Sequence, residues 1–312
     1  MPSFLSVADV DKKAFKRLID RAAFYKKAFG SNTVPQPLKN KFVALLFEKP
    51  STRTRASFEV AAEKMGAKTA YLQASELQLG RGEPVKDAAR MFSEWFNAIV
   101  ARVYKHSTLK ELATYSQLPV INALSNTEHP TQVISDFLTI MEFKKRLEGL
   151  KIAFIGDANN VSASLALGSG LLGIDFSLAS PKGYSFAEDT LVHIRDSFRN
   201  SGSSLLFTNF PKEAAKDADV LYTDVWVSMG EEKETVKRMH DFKSFQINNA
   251  LMRFAKKDAI VMHCLPAHRG LEITEEVLEG EHSVVWQQGR NKIYGAASAL
   301  EFALQSRGKA IS

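Results

Sequence analysis

Five consecutive residues, Ser51-Thr52-Arg53-Thr54-Arg55, put hydroxyl and guanidinium groups into one short turn between an apolar run and a helical pattern. The open backbone N–H groups of a helix start, with hydroxyl donors beside them, form an anion site. Arginine adds bidentate contacts that match a phosphate. Taken alone, the turn also reads as an N-cap at Ser51 or Thr52 followed by two surface arginines. Further along, Arg102 closes another apolar run, and His129-Pro130-Thr131-Gln132 follows Ser125-Asn126-Thr127-Glu128. Pro130 suits a first helical turn, and His129 and Gln132 share one side at a spacing of three. A histidine there can donate to a carbonyl oxygen, and a helix N-terminus lowers its pKa and keeps it neutral. By itself, His129 reads equally as a capping or packed histidine.

The second half carries a different set. Gly156-Asp157-Ala158-Asn159-Asn160 looks like a nucleotide-binding turn but lacks G-x-G-x-x-G, which argues against a dinucleotide. Asn160 offers a donor and an acceptor, which suits an α-amino-acid head group. Asp224, opening Asp224-Val225-Trp226-Val227-Ser228-Met229-Gly230, can bind an ammonium or simply cap a turn. In His263-Cys264-Leu265-Pro266-Ala267-His268, Cys264 would need a dedicated base to act as a nucleophile, and His263 points to the other face of a strand. No second cysteine or carboxylate stands at ligand spacing from Cys264, His263 and His268, so no metal is expected. Walker A, HExxH and G-x-S-x-G sequences are absent. An anion cradle and carbonyl polariser in one half, with amine and amino-acid contacts in the other, suit direct transfer between two bound substrates.

These residues need strand ends to hold them. Apolar runs at 41–47, 68–72, 98–103 and 119–124 alternate with helical patterns at 53–65, 86–96, 109–115 and 130–147. Strand patterns resume at 151–155, 175–179, 204–208, 220–223, 260–264 and 283–286, before a final helix at 294–305. Short apolar strands separated by amphipathic helices predict parallel sheets with right-handed crossovers. Gly149, after the charged tail Lys144-Lys145-Arg146, marks a boundary. The expected architecture is α/β, two doubly wound parallel-sheet domains with the active site in the cleft between them. The domains span 1–148 and 149–291, with a C-terminal helix at 292–312 packing back on the first. Ligands in such sheets bind beyond the strands' carboxyl ends, where Arg102, Asp224, Cys264 and the segments opening at Ser51, Ser125 and Gly156 fall.

Composition narrows the classes. A chain of 312 residues is long for one core and implies two domains. Its 45% hydrophobic and 24% charged residues match a globular protein. Net charge is +6, but Lys and Arg are spread along the chain, and the early cluster at Lys12, Lys13, Lys16, Arg17, Lys26 and Lys27 surrounds an apolar stripe. An anionic small substrate accounts for the surplus better than nucleic acid. The single cysteine, Cys264, excludes an internal disulfide framework and suits a reducing compartment. No signal-peptide pattern opens the sequence, and the most apolar stretch, 165–174, falls short of the roughly 20 residues a membrane span needs. A cytoplasmic, soluble protein is expected, with neither membrane nor nucleic-acid partner.

At these positions the chain resembles the aspartate/ornithine carbamoyltransferase family over nearly its whole length. The shared motifs are Phe-x-Lys/Glu-x-Ser-Thr-Arg-Thr-Arg at 47–55 and His-Pro-x-Gln at 129–132. Leu79-Gly80-Arg81-Gly82-Glu83, the segment from Asp224 to Gly230, and His263-Cys264-Leu265-Pro266 resemble the ornithine branch. The aspartate branch would carry lysine in the first and proline in place of Cys264. The resemblance implies that Ser51, Thr52, Arg53 and Thr54 hold the phosphate of carbamoyl phosphate. Arg102, His129 and Thr54 would polarise its carbonyl, with Gln132 near the amide. Leu265 would accept from the carbamoyl NH2, Arg290 would close over the substrate, and Gln78 would reach across a subunit boundary. Asn160, Asp224, Ser228 and Met229 would bind ornithine, with Asp224 and Cys264 orienting its δ-amine. It further implies ordered binding, direct attack giving citrulline and phosphate, no cofactor or metal, a homotrimer or larger assembly, and a place in arginine metabolism. Putrescine, acetylornithine or aspartate are the alternative acceptors. The family's acidic-asparagine lead before the late arginine is here Gln288-Gly289.

Overall fold

The computed structural model describes residues 3–31, 34–228 and 232–305. Backbone contacts divide them into two units, one of residues up to Leu138 together with those from Asn291 on, the other Thr139–Arg290.

In chain order the first unit runs α1 (Lys12–Ala28), β1 (Phe42–Phe47), α2 (Thr52–Lys64), β2 (Lys68–Gln73) and α3 (Val85–Trp95). It continues through β3 (Ala98–Arg102), α4 (His106–Ser116), β4 (Val120–Leu124) and the start of α5 (Pro130–Lys144). Asp11 caps α1 by accepting from the Ala14 amide at 2.7 Å, and α1 buries Phe15, Leu18, Ile19, Ala22 and Tyr25. Four parallel strands stand in the order β2-β1-β3-β4. β1 and β3 lie inside the sheet and read as continuous apolar runs, as strands covered on both faces do. The chain reverses direction across the sheet between β1 and β3, so their carboxyl ends form the switch point where such sheets bind ligands.

The second unit contains β5 (Lys151–Ile155), α6 (Asn160–Leu172), β6 (Asp175–Ala179), α7 (Glu188–Phe198), β7 (Leu205–Thr208) and α8 (Pro211–Ala215). It then runs β8 (Val220–Thr223), α9 (Thr235–Asp241), α10 (Asn249–Met252), β9 (Ile260–His263), α11 (Glu275–Leu278) and the start of α12 (Val285–Gln305). All pairings are parallel in the order β7-β6-β5-β8-β9, with the switch between β5 and β8. α6 is buried along nearly all its length and packs closely on α7. A Cβ at Gly170 would lie 2.8 Å from the Ser197 carbonyl carbon, so only glycine allows that approach.

The strand expected at 283–286 is absent. Ser283 makes one isolated bridge to Val261, and α12 begins at Val285, nine residues before the expected helix start. The Val284-Val285 pair favours a strand locally, but the Gln288 amide bonds to the Val284 carbonyl at 2.9 Å and closes a helical turn there. From Asn291 onward α12 belongs to the first unit. Ser298 donates to the Leu18 carbonyl, Glu301 pairs with Arg21, and Phe302 meets Phe4 at 5.9 Å.

Candidate active site

In the first unit, strand register delivers the predicted groups side by side. Phe47 pairs with Arg102, and Arg102 with Leu124 across a bulge after Ala101. The Glu48 amide bonds to the Arg102 carbonyl at 2.8 Å, fixing the start of the turn. Ser51 is extended at φ −157° and its side chain caps nothing in α2, so the capping alternative for this serine is not realised. Thr54 is buried, while Thr52 and Arg53 are exposed. Arg55 is engaged elsewhere, its Nε 2.9 Å from Glu59 Oε1 and its guanidinium 3.6 Å above the Tyr71 ring. The Lys49 ammonium sits 3.9 Å over the ring of Tyr104.

Arg102, His129 and Gln132 are all buried, with His129 only 4% exposed. Burial first, then the charges of Lys292 and Arg102, holds the His129 imidazole well below its ordinary pKa and leaves it neutral. Gln132 is oriented from both ends: its Nε2 donates to Asp136 Oδ1 at 2.8 Å, and its Oε1 accepts from the Lys292 ammonium. Lys292, on α12 and itself buried, joins this candidate cluster, and no local pattern in the sequence marks it.

In the second unit, the ends of β5, β8 and β9 converge. Gly156 has φ 147°, a backbone that other residues rarely adopt, at the turn after β5. Asp224, at the end of β8, is buried and densely bonded. Its Oδ1 accepts from the Val225 amide at 2.8 Å and from the Cys264 thiol at 2.9 Å. Its Oδ2 accepts from Asn159 Nδ2 at 2.9 Å, while Asn159 Oδ1 caps α6 through the Val161 and Ser162 amides. Asn159, given no role by its sequence context, is thus the residue that holds Asp224; its place one position before Asn160 at a helix start is the available signal. Asn160 opens α6 half-buried, and Ser228 is half-buried in the loop after β8. Met229 lies outside the described residues.

That loop is anchored from α9. Arg238 Nη1 reaches Asp157 Oδ2 at 2.8 Å and the Trp226 carbonyl at 3.1 Å. Burial pushes the Asp157 carboxyl above its ordinary pKa, and Arg238 pulls it back down. Past β9, Cys264 and Leu265 are half-buried, Leu265 at φ 58°. Gln78 is exposed in the 3-10 turn Gln78–Arg81, and Arg290 is exposed on α12.

One expectation is corrected. A carboxylate does accompany the histidine and cysteine: Asp224, His263 and Cys264 bring ligand atoms within 4.8 Å of one another, through a fold contact that spacing along the chain could not show. Yet His263 Nδ1 accepts from the Leu265 amide and its Nε2 faces Glu272 Oε1, so a metal there would have to displace bonds the site already makes.

Both halves of the chain resemble known proteins. Residues 3–142 match the family described as aspartate/ornithine carbamoyltransferase, carbamoyl-P binding domain, and residues 148–303 its Asp/Orn binding domain. The chain is 48% identical to an ornithine carbamoyltransferase of Methanosarcina acetivorans, over 95% of this chain and 97% of that one. It is 46% identical to a protein of Thermoplasma acidophilum named ornithine carbamoyltransferase, catabolic, over 95% and 96% of the two chains. The ornithine carbamoyltransferase structure from Pyrococcus furiosus superposes with a TM-score of 0.94 at 40% identity, covering 98% of both chains.

Proposed function

This chain belongs to the aspartate/ornithine carbamoyltransferase family, and from that premise we propose how its residues move the carbamoyl group of carbamoyl phosphate onto the δ-amine of L-ornithine, giving L-citrulline and phosphate. The turn Ser51, Thr52, Arg53 and Thr54 takes the phosphate through the open amides of α2, its hydroxyls and the exposed Arg53 guanidinium. Arg102 and neutral His129 donate to the carbamoyl oxygen, where charge develops as the amine attacks. Gln132, its carboxamide held by Lys292 and Asp136, sets the carbamoyl amide. Leu265 accepts from that amide, and Arg290 and a neighbouring copy's Gln78 complete the donor site.

The acceptor side is carried by one observation, the Asp224 carboxylate with the Cys264 thiol 2.9 Å from it. An anionic group at a strand end, steadied by Asn159, binds the δ-ammonium, and Asn160, Ser228 and Met229 take the amino-acid head. Free ornithine's amine titrates near the lysine value of about 10.4, so it must lose a proton before attack. The neutral nitrogen then adds to the carbonyl carbon, and the tetrahedral intermediate breaks its C–O bond to phosphate. Overall the ammonium releases two protons, one retained by the departing hydrogen phosphate and one passed to solvent. Positioning and electrostatics supply the rate. The assembly is a homotrimer working in arginine metabolism, and a reducing cytoplasm suits a Cys264 thiol held outside any disulfide. Carbamoyl phosphate offered with ornithine, putrescine, acetylornithine or aspartate decides the acceptor. Citrulline forms with ornithine far faster than any other product; its absence would sink the assignment.

A further inference from the structure

Leu265 holds a left-handed backbone, φ 58°, that a branched side chain adopts only when its surroundings impose it. Its amide N–H donates to His263 Nδ1 at 2.9 Å. A ring nitrogen that accepts carries no proton, so the imidazole proton sits on Nε2. Nε2 lies 3.0 Å from Glu272 Oε1, and both side chains are 0% exposed. Oε1 also accepts from the His268 amide at 2.5 Å, on the far side of the same loop. The strand end is fixed in turn: the His263 amide donates to Gln288 Oε1 at 2.9 Å, and Gln288 Nε2 donates to the Tyr222 hydroxyl at 2.9 Å.

A fully buried carboxylate and imidazole stabilise a core no better than apolar residues of the same shape. What they supply is direction, because a carboxylate acceptor admits one tautomer of His263 and one placement of the Leu265 amide. We propose that Glu272 and His263 are positioning residues that set the Cys264-Leu265 turn, and so aim the thiol and the Leu265 carbonyl at the reactants. The inference rests on the roles given to that turn above.

Because Cys264 is the chain's single cysteine, its alkylation rate by iodoacetamide reports the turn without any assay of transfer. Glu272→Leu removes the acceptor for Nε2–H, while Glu272→Gln keeps an oxygen there. In the full-length enzyme, Glu272→Leu lowers kcat by roughly 10- to 100-fold, as sub-ångström misplacement does. It also shifts the alkylation rate, and Glu272→Gln restores both kcat and that rate. Wild-type kcat and alkylation in Glu272→Leu overturn the proposal. So does a Glu272→Gln variant that loses kcat and thermal stability together to the same degree as Glu272→Leu, since that marks a merely structural role. If Glu272→Leu does not fold, His263→Gln decides. It keeps a donor for Glu272 but offers Leu265 no acceptor at the position of Nδ1, so an unchanged alkylation rate overturns the proposal. A wild type that forms no citrulline would overturn the functional reading instead, with the alkylation result still deciding this one.

Discussion

His129 shows how far a residue's type and spacing carry. Its position before Pro130 and its neutrality follow from sequence, but the cause of that neutrality is burial reinforced by Lys292 and Arg102. Lys292 reaches Gln132 across 160 positions, so no window of sequence could link them. The lowered pKa has two consequences. A proton donor that stays neutral gives no step in the kcat–pH profile near the ordinary imidazole value of 6.5. A step there that His129→Asn abolishes would contradict the assignment, and the variant itself should lose about 10²- to 10³-fold in kcat. For stability, the unfolded chain protonates His129 below 6.5 while the fold resists, so stability present above that pH declines as the pH falls toward the folded value. Urea midpoints of wild type and His129→Asn should therefore converge between pH 7.5 and pH 5.5, both values chosen to bracket about 6.5. Parallel midpoints would show that His129 titrates normally in the fold.

Elements were legible where pattern and propensity agree and obscure where tertiary contacts decide. β1, β3, β5, β6 and β8 read directly as apolar runs, and the carboxyl ends of β1, β3, β5 and β8 carry residues singled out by type. Val284-Val285 misread as strand because its helical turn is fixed by Gln288, which also ties β8 to β9. The loop after β8 is a similar case. Asp224 and Ser228 mark it chemically, but its hold on α9 through Arg238 and Asp157 has no sequence signature. Breaking a buried ion pair by removing one partner costs about 3–5 kcal/mol, because the other charge stays buried. Arg238→Met should thus destabilise the second unit and raise the KM for ornithine, since Trp226 loses its anchor two residues before Ser228. With its counter-charge gone, Asp157 is pushed further upward, so the loss in urea midpoint should be smaller at acid pH than above neutrality. A loss independent of pH, or an unchanged ornithine KM, would show that this pair does not hold the loop.

At the scale of the whole molecule the chain passes between the two units inside α5 and again inside α12. The second unit is therefore one continuous stretch, whereas the first is assembled from both ends of the chain. That asymmetry gives α12 a burden its local sequence hides. Past Arg290 it contributes Ala296, Ala297, Ala299, Leu300 and Ala303 to the first unit's core, with buried Lys292, Ser298 and Glu301 bonded to Gln132, Leu18 and Arg21. Burying a leucine-sized side chain is worth about 1.5–3 kcal/mol, and a whole domain retains only about 5–15 kcal/mol. A chain ended after Arg290 removes all of these contacts at once while keeping Gln288, and with it the tie between β8 and β9. Such a chain should lose binding of inorganic phosphate by calorimetry, because the turn at Ser51 and the His129–Gln132–Lys292 cluster belong to the damaged unit. Its Cys264 should be alkylated at the wild-type rate, because Asp224, His263 and Glu272 remain in an intact second sheet. Phosphate bound with wild-type affinity by the shortened chain would show that the first unit is complete without α12.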